Sequence, residues 1–397
     1  MTWRVGGFGG GETRDALIEG LRGYAFDTPL PILFDTDGMD IISDPVKNGT
    51  GALRILAGEG GFAYLLPAAS DLRCLQAWVN YDGNPTAIHT IFNGGGIYLQ
   101  VNTSRQVRIA TTPNYVDWKP LTPWSVNVLG NGTWTHLAWF IDYLTMPFLG
   151  GIGTVLIDGV VQFTAVKDGG GSLDALVEVN AGNAGVDIRL DDICGLHSTD
   201  PNDAPHITPA PIAKVCAQHP NAEGALSQWT RLPASGTWWS KWADAAGNDG
   251  DTTALYTATA GAYQDSDFQS SADLSWGVGA VLLENAAGVG PVWSIVHKTA
   301  GGTKFSALTY CYDGSATCPT QSISDPGASY VGTLKLLTRS SGSWAPADLG
   351  ALLAGARVSP TDSDKTWYIT SLMLQWAYYD TTFALTPRPM IPQSAMF

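Results

Sequence analysis

Three kinds of residue in this chain have the type and spacing to do chemistry: carboxylates, histidines and clustered tryptophans. Sugar-cleaving chemistry needs two carboxylates across a scissile bond, about 5–5.5 Å apart for retention. Only six glutamates are present (Glu12, Glu19, Glu59, Glu178, Glu223 and Glu284), and no Glu-x-Asp-x-x-Glu run occurs; Glu178-Val179-Asn180 is the nearest approach. A Ser-His-Asp site would draw on His89, His136, His197, His206, His219 or His297, and no Gly-x-Ser-x-Gly elbow accompanies them. His136, between Trp134 and Leu137, reads as a packed, hydrogen-bonded side chain and not as a base. Asp187, Asp191 and Asp192 cluster at a strand end and are the candidate ligands for Ca²⁺, a hard cation that takes several oxygens. Against that, Asp191 and Asp192 are neighbours on a strand and point to opposite faces. Trp238, Trp239 and Trp242 fall in one loop-like stretch of a chain holding 15 tryptophans. Indole faces suit sugar rings, and equally suit protein interfaces or a core.

The elements that would position these residues follow from composition. Of 397 residues, 45% are hydrophobic and 14% charged, against roughly a quarter charged in an average soluble chain. Asp far outnumbers Glu, which favours turns over helices. The net charge of -15 opposes a phosphate backbone, so nucleic acid is excluded as a partner. No apolar run approaches the ~20 residues of a membrane span, and no apolar leader follows Met1. A protein made in a bacterial cytoplasm, with no signal peptide and no membrane insertion, is expected. Five cysteines (Cys74, Cys194, Cys216, Cys311 and Cys318) give no disulfide framework. Cys311 and Cys318 flank a turn and could bridge it; free thiols are the plainer reading.

Length and pattern give two domains. Residues 1–30 read as an N-terminal arm with a short helix over 12–21. Residues 31–200 alternate in period two, as in Ile97-Tyr98-Leu99-Gln100-Val101, and Asp158-Gly159 between two apolar runs signals a type I′ hairpin. Residues 201–224 carry five prolines and read as a linker. Strands return over 225–380, with candidates at 278–285, 292–298, 305–312, 333–339 and 366–379 and a helix over 346–353. Residues 381–397 read as a C-terminal arm. The fold class is all-β: two tandem antiparallel β-sandwiches of jelly-roll type, with a few short helices.

The strand motifs support a resemblance. Cys74-Leu75-Gln76-Ala77-Trp78-Val79, Gly132-Thr133-Trp134-Thr135-His136-Leu137-Ala138, the Val155–Gln162 hairpin and Asp187-Ile188-Arg189-Leu190-Asp191-Asp192-Ile193 resemble, in order and spacing, the strands of the laminin-G-like, concanavalin A-like jelly roll. Residues 224–230, 248–253, 265–268, 278–281, 344–349 and 354–358 resemble a second module that follows this jelly roll in tailed-bacteriophage structural proteins. That resemblance implies a non-enzymatic virion component, a capsid decoration or head spike or a tail or neck fibre, acting by assembly with other virion proteins as a homo-oligomer such as the trimers of phage fibres and spikes. A lectin-like module that attaches to host-surface glycan is the alternative, and a glycoside hydrolase the third reading. No cofactor is expected beyond the candidate Ca²⁺.

Overall fold

A computed structural model describes residues 4–9, 39–42, 52–57, 61–65, 72–94, 97–111, 119–142, 152–166, 176–180, 184–198, 213–218, 220–242, 252–267, 280–282, 292–312, 319–337, 352–359 and 363–380, with a few isolated positions between them. The described chain is nearly all strand, in four sheets; one 3₁₀ turn, Trp239–Lys241, is the helical element among these residues.

The first sandwich packs a ten-stranded sheet on a six-stranded one. In the larger sheet, Val160–Val166, Ile152–Ile157, Thr135–Asp142, Leu72–Tyr81, Ile188–Ser198 and Arg4–Gly9 follow one another edge to edge. The smaller runs Gly61–Leu65, Leu176–Asn180, His89–Gly94, Ile97–Val101, Val107–Thr111 and Lys119–Pro120. Period-two alternation decides what faces inward. Leu75, Ala77, Val79 and Tyr81 from one strand and Leu137, Trp139 and Ile141 from its neighbour meet Ile97, Leu99, Val101, Val107 and Ile109 from the opposing sheet in one buried core. Phe92 stacks on Trp139 with centroids 6.4 Å apart.

The second sandwich packs a seven-stranded sheet on a five-stranded one. Its long strand Thr366–Asp380 pairs with Ala213–Gln218, Ala254–Thr257, Ala280–Leu282 and Val292–Ala300. The five-stranded sheet runs Ala222–Ser227, Tyr263–Asp267, Leu353–Val358, Ala307–Tyr312 and Ser322–Ile323. Tryptophan fills much of this core: Trp242, Trp293 and Trp367 are fully buried, and Trp229 tilts against Trp367 at 5.1 Å.

The expected strands hold closely: 292–298 is found as Val292–Ala300, 305–312 as Ala307–Tyr312, 333–339 as Val331–Leu336 and 366–379 as Thr366–Asp380. Four readings need correction. Within the stretch read as an N-terminal arm, residues 4–9 form a strand in the ten-stranded sheet, paired with Ile188–Ser198 and, in parallel, with Glu284–Asn285. The stretch read as a linker supplies Ala213–Gln218 and the start of Ala222–Ser227 to the second sandwich, because its prolines leave those segments uninterrupted. Leu353, read as helical, opens a strand. Cys311 is disulfide-bonded, not a free thiol. The expected helix over 12–21, most of that over 346–353, Cys318 and residues 381–397 lie outside the described residues.

Candidate functional site

Among the described residues, six of the twelve buried side-chain polar atoms without a hydrogen-bond partner converge on the outer face of the ten-stranded sheet. In Leu72–Tyr81 the odd positions 75–81 enter the core, which turns Gln76, Trp78 and Asn80 to the other face. Antiparallel register sets His136 opposite Trp78 on one flank and Asp191 opposite it on the other. One pair along, Asn80 stands opposite Arg189, which stands opposite Arg54. Trp134 immediately precedes Thr135, the partner of Val79, and so adjoins this second row.

His136 lies 2.9 Å from Gln76 Oε1 through Nε2 and meets Trp78 edge-on. Since the amide oxygen accepts, Nε2 carries the hydrogen and Nδ1 is left as an acceptor. Burial, reinforced by the Lys47 charge, pushes His136 down to about 3, so the ring is neutral. Lys47 places its ammonium 4.0 Å from the Trp78 centroid. The Arg189 guanidinium is tied to Asp82 at 2.6 Å.

What marks the patch is what stays unpaired. Trp78 Nε1, Trp134 Nε1, Asn80 Nδ2, Asn80 Oδ1, His136 Nδ1 and Arg189 Nε are all buried atoms without a hydrogen-bond partner, although Asn80 is wholly buried. Buried polar groups are paired in the great majority of cases. The set comprises four donors and two acceptors, lying beside two half-buried indoles, Trp78 and Trp134.

The candidate Ca²⁺ ligands Asp187 and Asp191 are engaged by backbone amides and a guanidinium. Asp191 Oδ2 accepts from the Lys47 amide at 2.8 Å and Oδ1 from the Asp192 amide at 2.7 Å. Asp187 Oδ1 accepts from the Ala57 amide and Oδ2 faces Arg54 at 3.9 Å. Asp192 takes a left-handed φ of 46° where the pairing with Leu72–Tyr81 slips, so these acids shape a bulge. Among the described residues no three His, Cys, Asp or Glu side chains are gathered as a metal would need.

The aromatic loop is likewise structural where it is described. Trp242 is fully buried and donates Nε1 to Ser266 Oγ at 2.6 Å. Trp238 donates Nε1 to the Trp229 carbonyl and packs on the second core, with Arg231 over its ring at 4.1 Å. Trp239 is half-buried. These rings seat the 3₁₀ turn and do not form a three-ring platform.

The other buried histidines are also spoken for. His89 contacts Tyr81 Oη at 2.9 Å and is pushed to about 4 by burial. His297 accepts from Trp367 Nε1 and donates to Thr333 Oγ1, each at 2.8 Å, and burial takes it to about 3. Gln76, Asn80 and Arg189 escaped the sequence reading as site residues. The alternation Gln76-x-Trp78-x-Asn80 was the available signal, since it sets polar groups on one strand face.

Residues 65–185 match the family model described as the concanavalin A-like lectin/glucanases superfamily. The matched stretch lies within the first sandwich. No curated protein matches the chain. Among solved structures, it is similar to the receptor-binding domain of botulinum neurotoxin type G (11% identity, TM-score 0.29, 40% of this chain and 42% of that one). It is similar also to the PL-14 alginate lyase of Aplysia kurodai (12% identity, TM-score 0.35, 50% of this chain and 99% of that one). A third is the binding domain of botulinum neurotoxin DC in complex with SialylT (8% identity, TM-score 0.32, 84% of this chain and 92% of that one). This chain spans less than half of the first of these. At such scores these likenesses bear on neither ligand nor activity.

Proposed function

We propose that this protein is a non-enzymatic, lectin-like module that binds carbohydrate on the outer face of its first sandwich. The observation that carries the reading is the pair of half-buried indoles, Trp78 and Trp134, set beside Asn80 and Arg189 on the outer face of a sheet in a concanavalin A-like domain. Indole faces suit the C–H faces of sugar rings. The patch presents no carboxylate pair across a slot; its acid, Asp191, accepts two backbone amides. A glycan array probed with the full chain, followed by calorimetry on the best ligand, tests this. Binding that Asn80→Ala and Trp78→Ala each weaken at least tenfold, with the fold intact, supports the reading; an array without a hit, or hits indifferent to both substitutions, rejects it.

A second reading concerns where such a module works. The order of the two sandwiches and the motifs quoted for the second resemble tailed-phage structural proteins, and the disulfide at Cys311 suits a protein that works outside a reducing cytosol. The proposal is a virion-surface component, assembled with other virion proteins as a homo-oligomer, with glycan contact as its means of attachment. Mass spectrometry and cryo-EM of the source particle decide it: ordered copies in the density support a virion role, and absence from the particle ends it.

A further inference from the structure

The second sandwich has an aromatic row of its own, on the outer face of the seven-stranded sheet. Leu255, Ile369 and Trp367 enter the core, which turns Tyr256 and Tyr368 outward. These two are cross-strand partners, and their rings stack with centroids 5.3 Å apart at an interplanar angle of 19°. Tyr368 pairs in turn with Lys298. The next strand begins at Val331, opposite His297, which brings Tyr330 alongside Lys298. The Lys298 ammonium lies 4.6 Å from the Tyr330 centroid and 5.3 Å from that of Tyr368. All four side chains are half-buried.

Neighbouring strands are about 4.8 Å apart, so the four positions form a line of roughly 14 Å across the sheet. An isolated exposed tyrosine needs no explanation, but three in one row with a cation between them define a linear platform. Tyrosine rings offer apolar faces to the C–H faces of pyranoses, their hydroxyls bond ring substituents, and the ammonium donates to sugar oxygens. The net charge of -15 argues against a polyanionic chain on this surface.

We propose that Tyr256, Tyr368, Lys298 and Tyr330 form a second saccharide-binding platform, which takes a neutral oligosaccharide of three or more rings laid across the strands. It shares only its ligand class with the reading for the first sandwich, and the two stand or fall separately.

The test titrates the full chain with four neutral hexasaccharides, cellohexaose, xylohexaose, laminarihexaose and maltohexaose, by calorimetry and affinity electrophoresis. Tyr256→Ala, Tyr368→Ala and Lys298→Met are compared with Asn80→Ala, each first shown to melt like the wild type. The expected result is binding to at least one hexasaccharide that each tyrosine substitution weakens about five- to tenfold and that Lys298→Met weakens less, any component lost in Asn80→Ala being assigned to the first sandwich. A trisaccharide of the same sugar should retain most of the affinity and the monosaccharide little. The proposal is overturned if none of the four is bound, or if binding is insensitive to both tyrosine substitutions. It is equally overturned if Tyr368→Ala changes only the oligomeric state, which would make the row a protein interface. Loss of binding in Asn80→Ala alone would leave the first-sandwich reading standing and remove this one.

Discussion

His136 meets Trp78 edge to face, ring centroids 5.2 Å apart, while its Nε2 reaches Gln76 on the same strand as Trp78. A charged imidazole has no place there, and burial holds it down to about 3. His297, at about 3, and His89, at about 4, are held neutral by burial in the same way. An unfolded histidine titrates near 6.5. Between that value and the folded ones, the unfolded chain takes up protons that the folded chain refuses, so this stability is fully present above about pH 6.5 and lost as pH falls toward 3–4. Urea midpoints should therefore drop steadily from pH 7 to pH 4.5. His136→Gln should show a shallower decline; an unchanged slope would mean that this ring is not held neutral in the fold.

Asp265 bears a contribution of the opposite sign. Burial raises its carboxyl to about 6 even though backbone amides of Leu226 and Ala225 hold it down; the nearby Asp267 charge adds to the rise. Its Oδ1 accepts from the Leu226 amide at 2.8 Å and its Oδ2 has no partner. Folded Asp265 thus keeps a proton that the unfolded chain has lost, and this stability is present below about pH 4 and lost as pH rises through 6. Asp265→Asn should melt above the wild type at pH 8 and level with it at pH 4. A variant less stable than the wild type at pH 8 would refute the assignment.

Gly355 sits where the Tyr263–Asp267 and Leu353–Val358 strands approach most closely. A Cβ there would lie 1.9 Å from the Gln264 carbonyl oxygen and 2.6 Å from Asp265 Cα. Both obstacles are backbone, so a strand must move. Gly355→Ala should cost about 3 kcal/mol or more, the range for a forced core misfit, measured by urea denaturation. A cost under about 1 kcal/mol would show that the strands part easily.

Local pattern carried much of the fold. Alternation in Ala307–Tyr312 gave a strand whose buried positions follow the period, and the quoted Gly132–Ala138 and Asp187–Ile193 motifs lie on the two strands that flank Leu72–Tyr81. The candidate site was harder to read because its two rows are assembled from three strands, Leu72–Tyr81, Thr135–Asp142 and Ile188–Ser198, separated by more than forty residues at each step. No local window holds Asn80 and Arg189 together. The tryptophan cluster misled for the converse reason: nearness in sequence at 238–242 does not say that Trp242 turns into the core.

The Asp158-Gly159 turn was legible from the dipeptide, and both residues take left-handed φ, 47° and 74°. Its anchoring was not legible. The Asp158 amide donates to the His136 carbonyl, and Asp158 Oδ1 accepts from the His136 amide, each at 2.8 Å. Gly159→Ala should cost about 1 kcal/mol from the strained backbone alone. Asp158→Ala should cost as much or more by freeing the His136 amide. Thermal melts of the two variants check this ordering.

Trp367 joins three neighbours in the second core: it tilts against Trp229, meets Phe305 edge-on at 5.4 Å and donates Nε1 to His297 Nδ1 at 2.8 Å. Trp367→Phe removes the donor and some volume together, so the loss should run to about 3 kcal/mol or more. His297→Leu separates the two effects. It deletes the acceptor and leaves the indole N–H and Thr333 Oγ1 without their partner. If the hydrogen bond matters beyond packing, the double variant should lose clearly less than the sum of the singles, because neither leaves the other's partner stranded. Strict additivity in urea denaturation would assign the whole effect of Trp367 to packing.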